Sequence, residues 1–547
     1  MHPLTSKQSA EQTRSAKARV CECAGRTKYA AKRHLEENLK KAGMLAVLLA
    51  SLILAGCKEE LPASREVGQP DITFTSMEEE PVLSYEVPVS VPGIVVNQMG
   101  YTTGSMKVAV FCGEEMPEHF FVVDENTGKV VYTGTLEQKA YDKLNGKYYC
   151  YGDFSAVISG GTYYIEAPIL GRSYSFEVGD EVYVPLFQEA CKQYYYNRCG
   201  ITLTAQYAGS GAHNACHTGK AILQSDTSIT LDVSGGWHQD EKGQKNVETA
   251  AKTIVTLLQA YELYPEIFTD DVGIPESGNE IPDILDEIKY EIDWLLKMQE
   301  QETGAVYGGV SVYAKDGDSS SKVAEIYVEP TSIEAGKAFA MALAKFSYLY
   351  QNYDTQYATG CLKAADRAWK YVELNAKDKI VDEREFAAAT ELYRASGQDS
   401  YNQYVVQYLR EETYKTQWDE TVMLGCVTYL STKHAVNRGY CESIMNLLMD
   451  HAEEISYVSR EAVYFAAGNN EQDNCGQLLM EMMNLSVVNR IISNHEYETV
   501  IENHLHYLLG RNENAGNHVT DQTGIIKQFE SDSKLIFMLS GILANGR

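Results

Sequence analysis

The spacing of apolar residues changes character near residue 180. From Gly93 to about Val178, short apolar runs such as KVAVFC, HFFVVD and TYYIEA alternate with turn signals, and Glu125–Gly128 between two runs indicates a hairpin. About seven short strands in about 85 residues are typical of a β-sandwich. We therefore predict a β-sandwich domain over residues 93–180.

After about Tyr183, apolar residues recur at positions i, i+3, i+4 and i+7, which is the pattern of amphipathic helices. This pattern predicts an all-α domain over residues 183–547, built as a helical toroid or a large bundle. Periodicity does not decide between the two. The predicted helices with clear boundaries cover residues 246–264, 283–298, 332–350, 357–373, 383–396, 400–412, 420–431, 437–453, 473–486, 495–509 and 533–544.

The N-terminal region contains an apolar run of twelve residues, 44–55, behind Lys40 and Lys41. The run is too short to cross a bilayer and is typical of the core of a signal peptide. It ends in Leu54-Ala55-Gly56-Cys57, which resembles a bacterial lipobox. We predict that residues 1–57 are a signal peptide with lipobox, that Cys57 carries the lipid, and that residues 58–92 form a flexible tether. The mature protein is then expected outside the cytoplasm, anchored to the bacterial cell membrane.

The charge excludes one class of partner. A formal net charge of −29 disfavours nucleic acid, because phosphate backbones would repel the chain. A neutral polysaccharide meets no such repulsion, and the 38 Tyr and 4 Trp residues include candidates for stacking on sugar rings.

Twelve cysteines are present. Cys21, Cys23 and Cys57 lie in the predicted leader, which leaves nine, and a Cys112–Cys150 disulfide is one option among several. The sequence contains neither a CxxC pair nor an HExxH motif, so we predict no metal site and no cofactor. His217 beside Cys216 is interpreted as a hydrogen-bonded buried histidine.

Six segments, in order and spacing, resemble the family-nine glycoside hydrolases that carry an N-terminal immunoglobulin-like domain. The resemblance covers most of residues 94–545 and implies a multidomain fold, an immunoglobulin-like β-sandwich followed by an (α/α)6 barrel. The segments are Val96–Tyr101 with Lys107–Val110, Arg198–Gly200 with Ala215–His217, Asp232–Trp237, Ile281–Glu287 with Trp294–Gln299, Asp382–Glu383 with Ala387–Tyr393, and Tyr507–Asn512.

The same resemblance implies hydrolysis with inversion by two carboxyl groups. The family's base lies in an Asp-x-x-Asp loop that begins two residues after the tryptophan, but here those two positions hold Gln239 and Lys242. Lysine cannot serve as a carboxylate base. Asp240 and Glu241 are the candidate bases if the loop is remodelled, and otherwise they are solvated loop acids.

The acid is expected as a glutamate shortly before the last helix. Counting back from Leu535 places Glu530 about four residues later than expected, so it is interpreted either as a displaced acid or as a carboxylate favoured by the helix dipole. The family's His-His-Arg element is missing, and His518 is the single histidine in that region, where an inert surface residue is the simpler interpretation. Trp237, His238, Arg511 and His518 are the candidate substrate-binding residues, with core packing as the alternative for Trp237. Some family members bind calcium, but no ligand loop is apparent among the acids of 283–291.

Two functional hypotheses follow. The first is an inverting hydrolase of β-1,4-glucan or a related plant polysaccharide, with Asp240 or Glu241 as base and Glu530 as acid, and with reduced or altered activity. The second is a non-catalytic cell-surface protein that keeps the barrel cleft as a glycan receptor.

Overall fold

A computed structural model describes residues 92–314, 324–376, 380–467, 475–521, 524–525 and 529–545, the side chains of 314, 324 and 521–530 excepted. The predicted signal peptide, Cys57 and almost all of the tether lie outside these residues. Within the described part of the chain, no helix is both long enough and apolar enough to cross a membrane.

The predicted β-sandwich is confirmed. One sheet has the strand order β1-β3-β7-β6 and the other β2-β10-β8-β4-β5, with β9 paired to β8. The expected hairpin turn joins β4 to β5, where the Gly128 N–H donates to the Asp124 carbonyl (2.8 Å). Phe111, Phe120, Phe154 and Ile165 fill the space between the sheets. The strands are Ile94–Val95 (β1), Gly100–Tyr101 (β2), Val108–Gly113 (β3), His119–Asp124 (β4), Val130–Thr135 (β5), Glu137–Asp142 (β6), Lys147–Asp153 (β7), Gly161–Ala167 (β8), Gly171–Arg172 (β9) and Phe176–Val178 (β10).

The second domain contains twelve described helices of at least twelve residues. They are Val184–Tyr196 (α1), Val247–Leu263 (α2), Asp283–Lys297 (α3), Ile333–Tyr350 (α4), Thr355–Asn375 (α5), Glu383–Ser396 (α6), Asp399–Glu411 (α7), Glu420–Ser431 (α8), Arg438–Glu461 (α9), Cys475–Ile492 (α10), His495–Leu508 (α11) and Phe529–Asn545 (α12). The predicted helices are present, although α9 and α10 extend well beyond the ends that periodicity indicated.

The even-numbered helices form a closed inner ring. Each contacts the next one, α2 to α4 to α6 to α8 to α10 to α12, and α12 returns to α2. The odd-numbered helices lie outside the ring, so the chain alternates between layers, and the predicted (α/α)6 barrel is confirmed. Side chains that accept from the first-turn N–H groups cap four successive inner helices, which fixes where each begins. These N-cap residues are Asn246, Ser332, Asp382 and Asp419.

A small sheet in the helical domain was not predicted. Its order is β12-β11-β15-β14-β13, formed by Ala221–Leu223 (β11), Thr230–Leu231 (β12), Lys245–Asn246 (β13), Gly309–Ala314 (β14) and Ala324–Val328 (β15). Because β13 leads directly into α2, the sheet lies at the end of the barrel where the inner helices begin. Three of these strands, β11, β12 and β13, have only two or three residues, too few to show the alternation that identifies longer strands.

The two domains share a buried polar interface. Asn97 of the sandwich donates to the Tyr183 hydroxyl (3.1 Å) and contacts His506 Nδ1 (3.0 Å), while the Gln98 N–H donates to the Leu509 carbonyl (2.9 Å). Arg511, which is fully buried, donates to Asn503 Oδ1 (2.8 Å) and to the Val108 carbonyl (3.4 Å).

Candidate functional site

The inner helices begin at one end of the barrel, and that end carries a cavity of about 370 Å³. It is lined by the first turns of α2, α4, α6 and α8. Arg384 donates to Glu248 (2.6 Å) and Glu334 (3.0 Å) across the helix starts. Lys337 pairs with Glu334 (3.0 Å) and also with Asp382. The barrel mouth is therefore polar and rich in ion pairs.

Glu420, the first residue of α8, is buried at this end of the barrel and joins three inner helices. Its carboxylate pairs with Lys252 (3.2 Å) of α2 and Lys534 (2.9 Å) of α12, and it accepts from the Thr256 hydroxyl (3.0 Å). Since Glu420 is 6% exposed, a partner lost from this group would leave a buried charge incompletely compensated.

The loop from Gln239 to Asn246 reaches this mouth, because it ends at the start of α2. The side chain of Gln239 donates to the Asn246 carbonyl (2.8 Å) and accepts from the Asn246 N–H (2.8 Å). Asp240 Oδ1 accepts the backbone N–H groups of Lys242 (3.0 Å) and Gln244 (2.9 Å). Asp240, Glu241 and Lys242 are exposed. One oxygen of Asp240 therefore holds the turn together, while the Glu241 side chain is open to solvent.

The position of Trp237 contradicts its prediction as a substrate-binding residue. It is 0% exposed and packs against Tyr194, with ring centroids 4.6 Å apart, so it cannot stack on a sugar in this structure and belongs to the core. Its backbone N–H donates to Glu291 Oε2 (2.5 Å), and its indole N–H lies 3.4 Å from Glu287 Oε2. Burial raises the pKa of Glu287 to about 7 and that of Glu291 to about 8.

Gly236 explains the tight turn in front of Trp237. Its φ is +72°, and a Cβ there would lie 2.7 Å from Trp294 Cγ. Only glycine satisfies both constraints.

One further substrate-binding prediction fails on burial and contacts. Arg511 is 0% exposed and bonded within the domain interface, so it is structural. Burial lowers its pKa to about 10. His518 is half-buried, with its ring nearly parallel to that of Tyr507 at 6.5 Å between centroids, and its assignment to substrate binding stays a prediction.

Glu530 is the second residue of α12, and its side chain lies outside the described residues. Its backbone position is nevertheless informative. The start of α12 and the loop that precedes α2 lie at the same end of the barrel, because Glu420, the first residue of α8, pairs with Lys252 in the second turn of α2 and with Lys534 in the second turn of α12. The assignment of Glu530 as an acid stays a prediction.

Sequence reasoning missed a cluster of four metal-ligating side chains, Cys199, Cys216, His217 and His238. One potential ligand atom from each lies within 4.8 Å of all the others. Cys199 Sγ is 3.7 Å from His217 Nδ1, Cys216 Sγ is 3.5 Å from His238 Nε2, and the two imidazole nitrogens are 3.2 Å apart. His238, predicted to bind substrate, belongs to this cluster.

Backbone pairing brings the cluster together. The Cys199 N–H donates to the Gly236 carbonyl (2.7 Å) and the His238 N–H to the Asn197 carbonyl (2.8 Å), so the two segments run side by side. Lys245 is buried below them, and its ammonium donates to the Gly235 carbonyl (2.7 Å) and lies 3.7 Å from Cys199 Sγ.

This donor set fits zinc. A tetrahedral Zn²⁺ with bonds of about 2.0–2.3 Å needs ligand atoms roughly 3.3–3.8 Å apart, close to the three distances above. Two thiolates and two imidazoles would fill all four positions, which is the arrangement of a structural site rather than a catalytic one. The signal in the sequence was weak, because the four residues come from three separate segments and only Cys216-His217 are adjacent.

The nine cysteines of the described region are all free. Cys112 and Cys150 occupy neighbouring strands, but Cys112 is paired with Tyr149 and Cys150 with Phe111. Adjacent positions on a strand face opposite sides of a sheet, so the optional Cys112–Cys150 disulfide is not formed.

A β-sandwich packed against an (α/α)6 barrel, with a polar cleft at the mouth of the inner helices, is an architecture of polysaccharide hydrolases. Residues 183–524 match glycosyl hydrolase family 9, and residues 90–172 match the cellulase N-terminal ig-like domain. The chain therefore belongs to glycosyl hydrolase family 9.

Similar proteins agree with this membership. Endoglucanase D of Acetivibrio thermocellus is 29% identical over 462 residues, covering 78% of this chain and 72% of that protein. A xyloglucan-specific endo-beta-1,4-glucanase of Bacteroides ovatus is 27% identical over 475 residues, covering 78% of this chain and 80% of the other.

Solved structures show the same fold. A metagenome-derived glycoside hydrolase family 9 endoglucanase superposes with a TM-score of 0.74 at 24% identity, covering 82% of this chain and 98% of that one. A Zn-binding triple mutant of the family 9 endoglucanase J30 superposes with a TM-score of 0.65 at 27% identity, covering 75% and 82%.

Proposed function

We propose that the barrel mouth binds a β-1,4-linked glucan or a related plant polysaccharide, and that the chain hydrolyses it with inversion at a strongly reduced rate. The observation that carries this proposal is that Glu420 at the start of α8 pairs with both Lys252 of α2 and Lys534 of α12, so these three inner helices begin at one end of the barrel. This arrangement brings the loop with Asp240 and Glu241 and the helix start with Glu530 to one end of the barrel. The names of the relatives, endoglucanases and a xyloglucan-specific glucanase, support the substrate class.

In the proposed reaction, Glu530 in its protonated form gives its proton to the glycosidic oxygen as the bond to the anomeric carbon breaks. A water molecule attacks that carbon from the opposite face and loses a proton to Asp240 or Glu241. The two carboxyl groups need a separation of roughly 6.5–9.5 Å to leave room for the water. The products are two shorter chains, one with an inverted anomeric centre.

The reduced rate follows from the loop. Gln239 and Lys242 occupy the positions where the family resemblance implies aspartates, and neither side chain can act as a carboxylate base. Asp240 already uses one oxygen to accept two backbone N–H groups, and Glu241 is exposed to water. A base that is not held in a fixed position contributes less to the rate, because much of the acceleration comes from correct orientation of the reacting groups.

A non-catalytic glycan receptor is the second candidate. The amide of Gln239 is engaged twice by the backbone of Asn246, so this position serves to hold the loop closed. A closed and chemically inert loop suits a protein that retains a glycan without cleaving it.

Reducing-sugar release from β-glucans and xyloglucan tests the first candidate, with Glu530→Gln as the test variant and the exposed Glu411→Gln of α7 as the matched control. We expect slow release by the wild type and by the control, and none by Glu530→Gln. Equal release by all three would overturn the catalytic assignment. Binding measured by calorimetry with no release from any substrate would favour the receptor.

We also propose that the chain is anchored outside the cytoplasm through Cys57, on the basis of the lipobox-like Leu54–Cys57. Metabolic labelling with a fatty acid should mark the wild-type protein and leave Cys57→Ser unlabelled. Labelling of Cys57→Ser at the wild-type level would refute the anchor.

A further inference from the structure

A second cavity, separate from the cavity at the starts of α2, α4 and α6, lies between the outer helix α9 and the inner helix α10, beside the start of α8. Its volume is about 290 Å³, which is close to the lower limit for small-ligand pockets and suits a single sugar ring. Trp418 and His451 line one side with nearly parallel rings, 18° apart in plane and 5.2 Å between centroids. Aliphatic side chains of α9 and α10 complete the wall.

The cavity contains a buried acceptor that has no donor. Asn484 is 1% exposed, lines the cavity, and has no hydrogen-bond partner at its side-chain oxygen. A buried carbonyl oxygen without a donor is costly, and a ligand that brings a donor would remove that cost.

Two carboxylates face the same space. Glu481 is half-buried on α10, and Glu454 is exposed at the rim on α9. The hydrogen bond shown for Glu481 comes from Gln477 Nε2 (3.2 Å). Burial, together with the nearby charge of Glu454, raises the pKa of Glu481. Neither acid has a Lys or Arg ion-pair partner among the described residues, so each would gain from a cationic ligand.

The other side chains favour an organic cation over a metal ion. Among the described residues, Glu454 and Glu481 are not part of any group of three or more side chains close enough to share one ion. An aromatic wall attracts a cation through the face of the ring and also stacks on a sugar. His451 does not oppose this, because burial lowers its pKa and favours the neutral ring.

We propose that this cavity binds a protonated amino sugar, with the ammonium group between Glu481 and Glu454, the ring against the Trp418 and His451 wall, and a hydroxyl donating to Asn484 Oδ1. The proposal concerns binding alone and does not depend on hydrolysis at the barrel mouth. It adds a cationic ligand to a protein whose relatives bear the names of glucanases.

Isothermal titration at pH 6 tests the ligand class with three disaccharides: β-1,4-linked glucosamine dimer, its N-acetylated form, and cellobiose. The three share a backbone, and only the first carries positive charge. We expect the glucosamine dimer to bind about tenfold or more tightly than the other two, with an affinity that falls as salt is added. Comparable affinity for cellobiose, or no binding of the glucosamine dimer, would overturn the proposal.

Variants locate the binding. Glu481→Gln keeps the shape of the side chain and removes its charge. It should weaken binding of the glucosamine dimer by about tenfold. Glu454→Gln, at the exposed rim, should weaken it less. Glu442→Gln, also on α9 but away from the cavity, is the matched control and should bind as the wild type does. Wild-type affinity in both Glu481→Gln and Glu454→Gln would overturn the assignment. Glu530→Gln should bind the dimer normally, which separates this result from a failure of the hydrolase proposal.

Discussion

The side chain of Gln239 makes two hydrogen bonds to one residue, donating to the carbonyl of Asn246 and accepting from its N–H, each at 2.8 Å. The side chain of Asn246 in turn caps α2 by accepting from the Thr249 N–H (3.0 Å). The loop is thereby closed onto the first residue before the helix. An amide therefore holds the loop closed at a position where the family resemblance implies an aspartate.

If the missing loop carboxylates limit the rate, their restoration should increase it. We expect the double variant Gln239→Asp with Lys242→Asp to raise the rate of reducing-sugar release from β-glucan by about tenfold or more, since a positioned general base contributes roughly 10²–10⁴-fold. Progress curves measured beside the wild type provide the check. A folded double variant with no gain would show that the base is not what limits hydrolysis.

The Cys/His cluster should bind one zinc ion per chain. Elemental analysis of protein purified without added metal is expected to give one equivalent in the wild type, little in Cys216→Ser or His217→Ala, and one in the control Cys112→Ser. At free zinc a hundredfold above its dissociation constant, binding adds about 2.7 kcal/mol to the free energy of unfolding. A stoichiometry near zero in the wild type would rule out the zinc assignment.

Trp237 should matter for stability and not directly for sugar contact. We expect Trp237→Ala to lower the free energy of unfolding by roughly 3–5 kcal/mol, since a fully buried tryptophan is replaced by a cavity. Urea unfolding measures this, with the exposed Tyr313→Ala as the control. A variant of unchanged stability that had lost glycan binding would restore the substrate-binding interpretation.

His506 should make stability depend on pH. Burial and the charges of Arg511 and Lys107 hold its pKa well below the ordinary value, so the folded chain binds fewer protons there than the unfolded chain once the pH drops below about 6.5. The contribution of His506 to the free energy of unfolding is therefore fully present above that pH. It declines toward lower pH by up to about 1.4 kcal/mol per pH unit.

His506→Gln removes this contribution. We expect the free energy of unfolding to fall less steeply between pH 6.5 and 5 in this variant than in the wild type, measured by urea unfolding at several pH values. The exposed His213→Gln should follow the wild type. Parallel curves for His506→Gln and the wild type would contradict the argument.

The spacing of apolar residues predicted the fold well, because the buried side of each helix or strand requires apolar residues at regular intervals. The run Asp283–Lys297 is helical, as its apolar spacing indicates, and Gly128 marks the hairpin between β4 and β5. The ends of α9 and α10 were less predictable, because Ser456 and Ser459 of α9 are polar but buried, whereas Ile491 and Ile492 of α10 are apolar but exposed, so the apolar pattern stops before the helix does.

The site was less accessible to sequence reasoning. Trp237 and Arg511 are residue types that bind sugars on a surface, and only their burial shows that they belong to the interior. The four residues of the Cys/His cluster meet because strand-like pairing aligns residues 197–199 with 236–238, and a linear pattern does not reveal this contact.

The shared polar interface between sandwich and barrel limits how this protein can change over evolution. Arg511 of the barrel completes its hydrogen bonds with the Val108 carbonyl, and Asn97 reaches His506. Excision of the first domain would therefore leave Arg511 and His506 of the second domain without these hydrogen-bond partners. The two segments are expected to be inherited as one piece, and exchange of either by recombination should require a matching exchange of the other.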